Sequence, residues 1–227
     1  MRELNRYLAL TFAWVRDRWK RLAVLLLGIL LPLLLVGALA EDVLEGGLPW
    51  DVPILRWIHG ASTPELDRVM IVITRLGYAW GTVPLALGVL ATLIVRRRWS
   101  HARFFTVAVG GAMVMNGLAK LAFRRLRPSL WTSPAPETSY SFPSGHAMGS
   151  MALVAALVVL AWPTRARGWV LVPGGLFVLV IGVSRVYLGV HYPSDVLAGW
   201  AASLAWVAGT ASLTFGNVFE RRTGSGG

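Results

Sequence analysis

Ser184-Arg185-Val186-Tyr187-Leu188-Gly189-Val190-His191-Tyr192-Pro193-Ser194-Asp195 places an arginine, a histidine and a carboxylate between two strongly apolar stretches. The stretches run from Trp169 to Val183 and from Val196 to Phe215, and each reads as a helix able to cross a hydrocarbon core. Ionisable groups at such a junction are costly unless they face water or one another, so they mark a functional edge. Two more polar islands lie upstream, Lys120 to Pro128 and Pro143-Ser144-Gly145-His146. Whether the three islands meet decides both the fold and the chemistry.

The 227 residues are 56% hydrophobic and only 15% charged, with a mean hydropathy of +0.60. Soluble domains carry nearer a quarter charged residues, so the composition is that of a membrane protein. The absence of cysteine excludes disulfides, thiolate metal sites and a cysteine nucleophile. A net charge of +11 would suggest nucleic acid in a soluble chain. No basic surface is interleaved with stacking aromatics here, and basic flanks of membrane spans account for the charge better.

Six apolar runs are long enough to span: Leu22 to Ala40, Tyr78 to Val95, Phe104 to Ala119, Ala147 to Trp162, Trp169 to Val183, and Val196 to Phe215. Pro64 to Leu76 reads as an interfacial or re-entrant helix, set off by Gly77 and Gly81. The expected fold is therefore all-α, an integral-membrane bundle of six transmembrane helices. Residues 22–217 form the membrane unit, 1–21 a basic N-terminal segment and 218–227 a flexible, Gly/Ser-rich tail. The first segment lacks the features of a cleaved signal peptide. Arg2 to Arg21, Arg96 to Arg103, Arg165, Arg167, Arg221 and Arg222 fall on one side. Most acids, including Glu41, Asp51, Glu137 and Asp195, fall on the other. The positive-inside rule then puts both termini in the cytoplasm. Lys120, Arg124, Arg125 and Arg127 object to that rule, and a bound anion would supply the local reason.

Alternating helix direction brings the islands to one face. Lys120 ends the third span, His146 starts the fourth, Arg185 ends the fifth and Asp195 starts the sixth. If its helix continues to Pro128, Lys120 and Arg127 are two turns apart on one side. Ser144 is a candidate cap at a helix end whose free amides and dipole favour an anion. Three cations with oriented amides suit a phosphoryl group. Of two imidazoles, one can attack phosphorus and the other protonate the leaving oxygen. A carboxylate four residues after His191 can hold one ring nitrogen so that the other presents its lone pair.

Lys120-(six residues)-Arg127-Pro128, Pro143-Ser144-Gly145-His146 and Ser184-Arg185-(five residues)-His191-(three residues)-Asp195 resemble the three-part signature of the type 2 phosphatidic acid phosphatase superfamily. That group also includes bacterial acid phosphatases, glucose-6-phosphatase and vanadium haloperoxidases. The resemblance implies phosphate binding by Lys120, Arg127 and Arg185, helped by Ser144 and Gly145. It implies a nucleophilic His191 oriented by Asp195, and His146 as acid toward the leaving alcohol and then base toward water. It implies no metal and no other cofactor.

The expected activity is hydrolysis of a lipid phosphate or diphosphate at the non-cytoplasmic face of a bacterial plasma membrane. Candidate substrates are phosphatidic acid, phosphatidylglycerol phosphate and undecaprenyl diphosphate, reaching the site sideways from the outer leaflet. The segment Leu48 to Leu76, with Trp50, Arg56 and Trp57, is a candidate part of that access. The alternative from another class is an anionic-lipid transporter or flippase using the same cations. No symmetric pair of interrupted spans supports it. Arg124 and Arg125 are assigned to headgroups or solvent, and His59 and His101 to structure. Tyr187 and Tyr192 are left open between lining the access and packing.

Overall fold

The computed structural model describes Trp19 and residues 22–216. The expected N-terminal segment, apart from Trp19, and the expected flexible tail lie outside the described residues. Every regular element among the described residues is helical: α1 (Val24–Leu44), α2 (Asp51–His59), α3 (Pro64–Leu76), α4 (Thr82–Val95), α5 (Trp99–Phe123), α6 (Gly145–Ala161), α7 (Arg167–Tyr187) and α8 (Pro193–Phe215).

Four of these, α1, α5, α7 and α8, are 21 to 25 residues long and apolar enough to cross a bilayer. Helices α4 and α6 have 14 and 17 residues. At 1.5 Å per residue they reach about 21 and about 26 Å, short of the roughly 30 Å core. The second expected span thus begins four residues later than its apolar run, because Tyr78 to Gly81 form a turn. Pro84 is accommodated in the first turn of α4, where no intrahelical N–H is needed. Helix α3 has the expected bounds. Thr63 accepts a hydrogen bond from the Leu66 amide at 3.2 Å, Pro64 opens the helix, and Glu65 and Asp67 sit in its positive first turn.

The centre of the bundle is α5, α6 and α8. Small residues face inward there, Ala108 and Ala112 on α5, Ala152 and Ala156 on α6 and Ala211 on α8, together with Phe104, Phe105, Met148 and Leu153. Small residues let helix backbones approach closely where lipid removes the hydrophobic drive for association. Phe104 at the start of α5 meets Phe215 at the end of α8, ring centroids 5.1 Å apart. At the opposite end the Ser144 amide donates to the Asp195 carbonyl at 3.0 Å, and Asn116 Nδ2 donates to the Pro143 carbonyl at 3.0 Å. So α5 runs toward that second end while α6 and α8 leave it. The three polar islands gather there.

One expectation about this end is corrected. Helix α5 does not continue to Pro128. It stops at Phe123, where Arg124 takes a left-handed conformation with φ 47° and its amide closes on the Lys120 carbonyl at 3.0 Å. The chain then runs without helix or strand through residues 124–129.

Candidate active site

Side chains alternate along extended backbone, and residues 124–127 follow that rule. Arg124 and Leu126 are exposed, whereas Arg125 and Arg127 turn inward with side chains 10% and 12% exposed. Arg127 reaches the site by this alternation and not by a helical face. Its Nη1 donates to the Val190 carbonyl at 2.6 Å and lies 3.1 Å from His191 Nε2. Its Nε donates to the Ser139 carbonyl at 2.6 Å. Lys120, in the last turn of α5, donates to Ser139 Oγ at 3.1 Å and to the Tyr140 carbonyl.

Arg185 ends α7 with its side chain 1% exposed. Its Nη1 donates to Thr74 Oγ1 of α3 and its Nη2 to Glu137 Oε1, while Nε is buried without a partner. Two residues on, Tyr187 donates to Asp67 Oδ1 at 2.7 Å and fixes α7 against α3. Tyr187 therefore packs and does not line an opening. The chain turns back at Gly189, whose φ of +67° favours glycine and whose Cα lies against the Trp131 indole. Trp131 in turn stacks on His59 at 3.8 Å between centroids, the structural place expected for that histidine.

That turn delivers His191, fully buried, between two partners. Nδ1 is 3.4 Å from Asp195 Oδ2, and Nε2 faces Arg127 and Glu137 Oε2, the latter at 3.9 Å. With the ring proton on Nδ1 toward Asp195, Nε2 presents a lone pair to the pocket. Burial pushes the imidazole pKa down to about 4; Asp195 opposes this, and Arg185 and Arg127 lower it further. These influences together favour the neutral ring. Asp195 also accepts from Ser141 Oγ and from the Tyr192 amide at 2.9 Å, closing the first turn of α8.

Ser144 is buried, and its Oγ takes the Ala147 amide at 3.5 Å as the cap of α6. Its own amide is committed to Asp195. Gly145 and His146 follow in the first helical turn, where amides have no intrahelical acceptor. His146 Nδ1 is 3.7 Å from Glu137 Oε1, and its ring leans on Tyr78 at 5.3 Å. The structure thus brings Lys120, Arg127, Arg185, His146, His191 and Asp195 to one pocket. Ser144 and Gly145 begin the helix that carries His146, Ser144 with its amide and hydroxyl already engaged.

Glu137 is the residue at the centre. One oxygen is held by Arg185, the other by Arg127 at 2.6 Å, and both imidazoles are within 4 Å. Burial raises its pKa, but Arg185 above all, with His191, Arg127 and His146, brings it down to about 2. The arrangement grips an anion between two imidazoles, and Nε2 of His191 is directed at it.

Residues 101–219 match the profile of the PAP2 superfamily. The chain belongs to the PAP2 superfamily. Among relatives of this PAP2 protein, phosphatidylglycerophosphatase B of Bacillus subtilis (strain 168) is 32% identical over 146 residues, covering 62% of this chain and 71% of that one. An undecaprenyl-diphosphatase of Sulfolobus acidocaldarius is 28% identical over 171 residues, covering 72% and 78%. A transmembrane PAP2-type phosphatidylglycerolphosphate phosphatase from Bacillus subtilis, solved by crystallography, superposes with a TM-score of 0.68 at 26% identity. It covers 85% of this chain and 94% of that one.

Sequence reasoning about the PAP2 chain missed Glu137, which read only as one of the outward acids. Its signal was present: it is the one carboxylate between Lys120 and Asp195. Arg125 was misplaced. It contacts neither headgroup nor solvent as its main partner but pairs with Asp51 Oδ2 at 2.7 Å and Asp195 Oδ1 at 2.5 Å. Its Cζ also lies 4.0 Å from the centre of the Tyr192 ring, so that tyrosine packs under the cation. Arg124 is exposed, in keeping with its assignment.

Proposed function

We propose that this PAP2 hydrolase is an integral-membrane phosphatase that cleaves a lipid phosphate or diphosphate through a phosphohistidine on His191. The carrying observation is the Glu137 carboxylate, held by two guanidinium groups with His191 Nε2 and His146 Nδ1 each within 4 Å. Its oxygens stand in for the non-bridging oxygens of a substrate phosphate, which would take over the same cations.

The lone pair of His191 Nε2 attacks phosphorus, and the bond from phosphorus to the lipid oxygen breaks. His146 gives its proton to that oxygen as the lipid leaves. A phosphate dianion between the imidazoles favours the protonated His146 that this step needs. Water then passes a proton to His146 and attacks phosphorus. The P–N bond breaks, its electron pair returns to Nε2, and inorganic phosphate is released. Lys120, Arg127 and Arg185, with the Gly145 amide, bear the charge on the equatorial oxygens. Asp195 steadies the imidazolium character that grows on His191.

Six spans complete the reading, with α4 and α6 crossing as the two short ones. Ser141, Phe142 and Pro143, which lead into α6, are buried, and irregular backbone at membrane depth is tolerated where it is buried in protein. Residues 22–217 are the membrane unit, and residues 1–21 and 218–227 its cytoplasmic flanks. Arg96 to Arg103, Arg165 and Arg167 lie at the end away from the site, which favours a site facing outward from the plasma membrane. Trp57 on α2, 80% exposed, and Trp80 before α4, 60% exposed, suit the interfacial band beside the pocket where a lipid would arrive. Phosphatidic acid, phosphatidylglycerol phosphate and undecaprenyl diphosphate are the candidate substrates, the last two in line with the names of the relatives.

The test is phosphate release from these three lipids in detergent with excess chelator, wild type beside His191→Ala. At least one lipid should turn over, with the variant slower by about a thousandfold or more. Release from none of them, or a His191→Ala variant as fast as wild type, would overturn the reading. The absence of a membrane gradient in this assay separates hydrolysis from transport.

A further inference from the structure

Asp51 is the first residue of α2, far in sequence from the polar islands, and it is 1% exposed. Its Oδ1 accepts from the Ser194 amide at 3.0 Å, and its Oδ2 accepts from Ser194 Oγ at 2.6 Å and from Arg125 Nη2 at 2.7 Å. Arg125 uses its other terminal nitrogen on Asp195 Oδ1 at 2.5 Å and on Ser194 Oγ at 2.8 Å. One guanidinium thus bridges two buried carboxylates, with the Tyr192 ring beneath it.

This bridge determines how Asp195 meets the nucleophile. Arg125 occupies Oδ1, so Oδ2 is the oxygen left for His191 Nδ1, Ser141 and the Tyr192 amide. Without Arg125 the carboxylate could rotate about its terminal torsion, which is broad and two-fold, and could exchange its oxygens. Arg125 in turn needs Asp51. A guanidinium shared between two carboxylates divides its pull between them, whereas one facing Asp195 alone would draw more charge from the carboxylate that steadies His191. Packing supports the same contact. Leu55, one turn along α2, is fully buried in a cluster with Ala147, Val186 and Val196 beneath the pocket.

The geometry points to Asp51 and Arg125 as positioning residues that hold Asp195, and through it His191, in the alignment for attack. This rests on the phosphatase reading above. Neither residue touches the site of the phosphate, so their loss should slow chemistry and leave binding intact.

The experiment measures kcat and KM for phosphate release from the best of the three lipids, with the melting midpoint recorded for each purified protein. The variants are Asp51→Asn, Arg125→Gln, Arg125→Lys and the Asp51→Asn/Arg125→Gln double, with exposed Arg124→Gln as control. The two single charge removals should lower kcat by about tenfold to a hundredfold, the scale seen when the support of a reactive ligand is lost. Their KM should stay within about twofold of wild type. Arg125→Lys should recover part of the loss, since one ammonium cannot bridge both carboxylates as a fork does. The double should be no slower than Arg125→Gln within about twofold, because the pair acts as a unit. Wild-type kcat in folded Asp51→Asn or Arg125→Gln would overturn the proposal, as would a rise in KM with kcat unchanged. Should Arg125→Gln not fold, the near-isosteric Asp51→Asn decides alone. A wild type silent on every lipid phosphate removes the phosphatase reading and this proposal together, whereas an active wild type with unaltered variants removes only the positioning role.

Discussion

Glu137 keeps its charge inside a buried pocket because cations surround it, with a pKa of about 2. Two consequences follow from that number. At neutral pH the ionised carboxylate competes with any phosphate for Arg127 and Arg185. Glu137→Gln should therefore bind orthovanadate more tightly at pH 7, by about tenfold, the worth of one charge-assisted hydrogen bond. Competition against substrate would measure it, and equal or weaker affinity would contradict the competition. The second consequence is for stability. A carboxyl depressed in the folded state contributes stability that is complete above its unfolded pKa of about 4.3. That contribution is lost as pH falls through about 2. The melting midpoint of wild type should decline across that window, and Glu137→Gln should flatten the decline. At this scale the sequence was partly legible. Lys120, Arg127, His146, Arg185, His191 and Asp195 carried recognisable spacing and do gather. Glu137, Arg125 and Asp51 carried none: Glu137 lies 48 residues from Arg185, and Asp51 lies 74 from Arg125 and 143 from Ser194, so only the folded chain sets them side by side.

The elements show why one error in helix length still left Arg127 beside His191. A continuous helix from Lys120 would have put Arg127 two turns on; the left-handed Arg124 instead ends α5 and hands the task to alternation along extended backbone. Arg127 satisfies both periods, since it lies an even number of residues beyond Arg125. Arg125 satisfies only the second, and so it was misplaced. The turn between α7 and α8 has the tightest demands. Gly189 at φ +67° would bring an added Cβ within 2.6 Å of the Trp131 indole. Gly189→Ala should cost about 1–3 kcal/mol from the left-handed conformation alone, with further loss from the overlap. Since the same turn carries Val190 and His191, activity should fall as well. A melting midpoint and turnover both equal to wild type would show that the turn does not constrain the nucleophile.

For the whole molecule, apolar runs revealed an all-helical membrane bundle, and hydropathy did so because burial in lipid imposes a strong, local rule on every span. The same rule is weaker at α4, which is shorter than its run because a turn takes Tyr78 to Gly81, and at α6, whose 17 residues begin at the polar end. The proposed orientation is testable in a chain with no native cysteine. Thr138→Cys, in the loop over the pocket, should react with an impermeant maleimide added outside sealed right-side-out vesicles. Ser100→Cys, at the opposite end, should react only after permeabilisation, and the reverse pattern would invert the orientation. The central claim is covalent catalysis by His191, and the most direct measurement is an alkaline quench during turnover of a lipid carrying labelled phosphate. The account predicts base-stable, acid-labile label on His191 of wild type and none on His191→Ala. Label at another residue, or a His191→Ala variant that turns over at the wild-type rate, would contradict it.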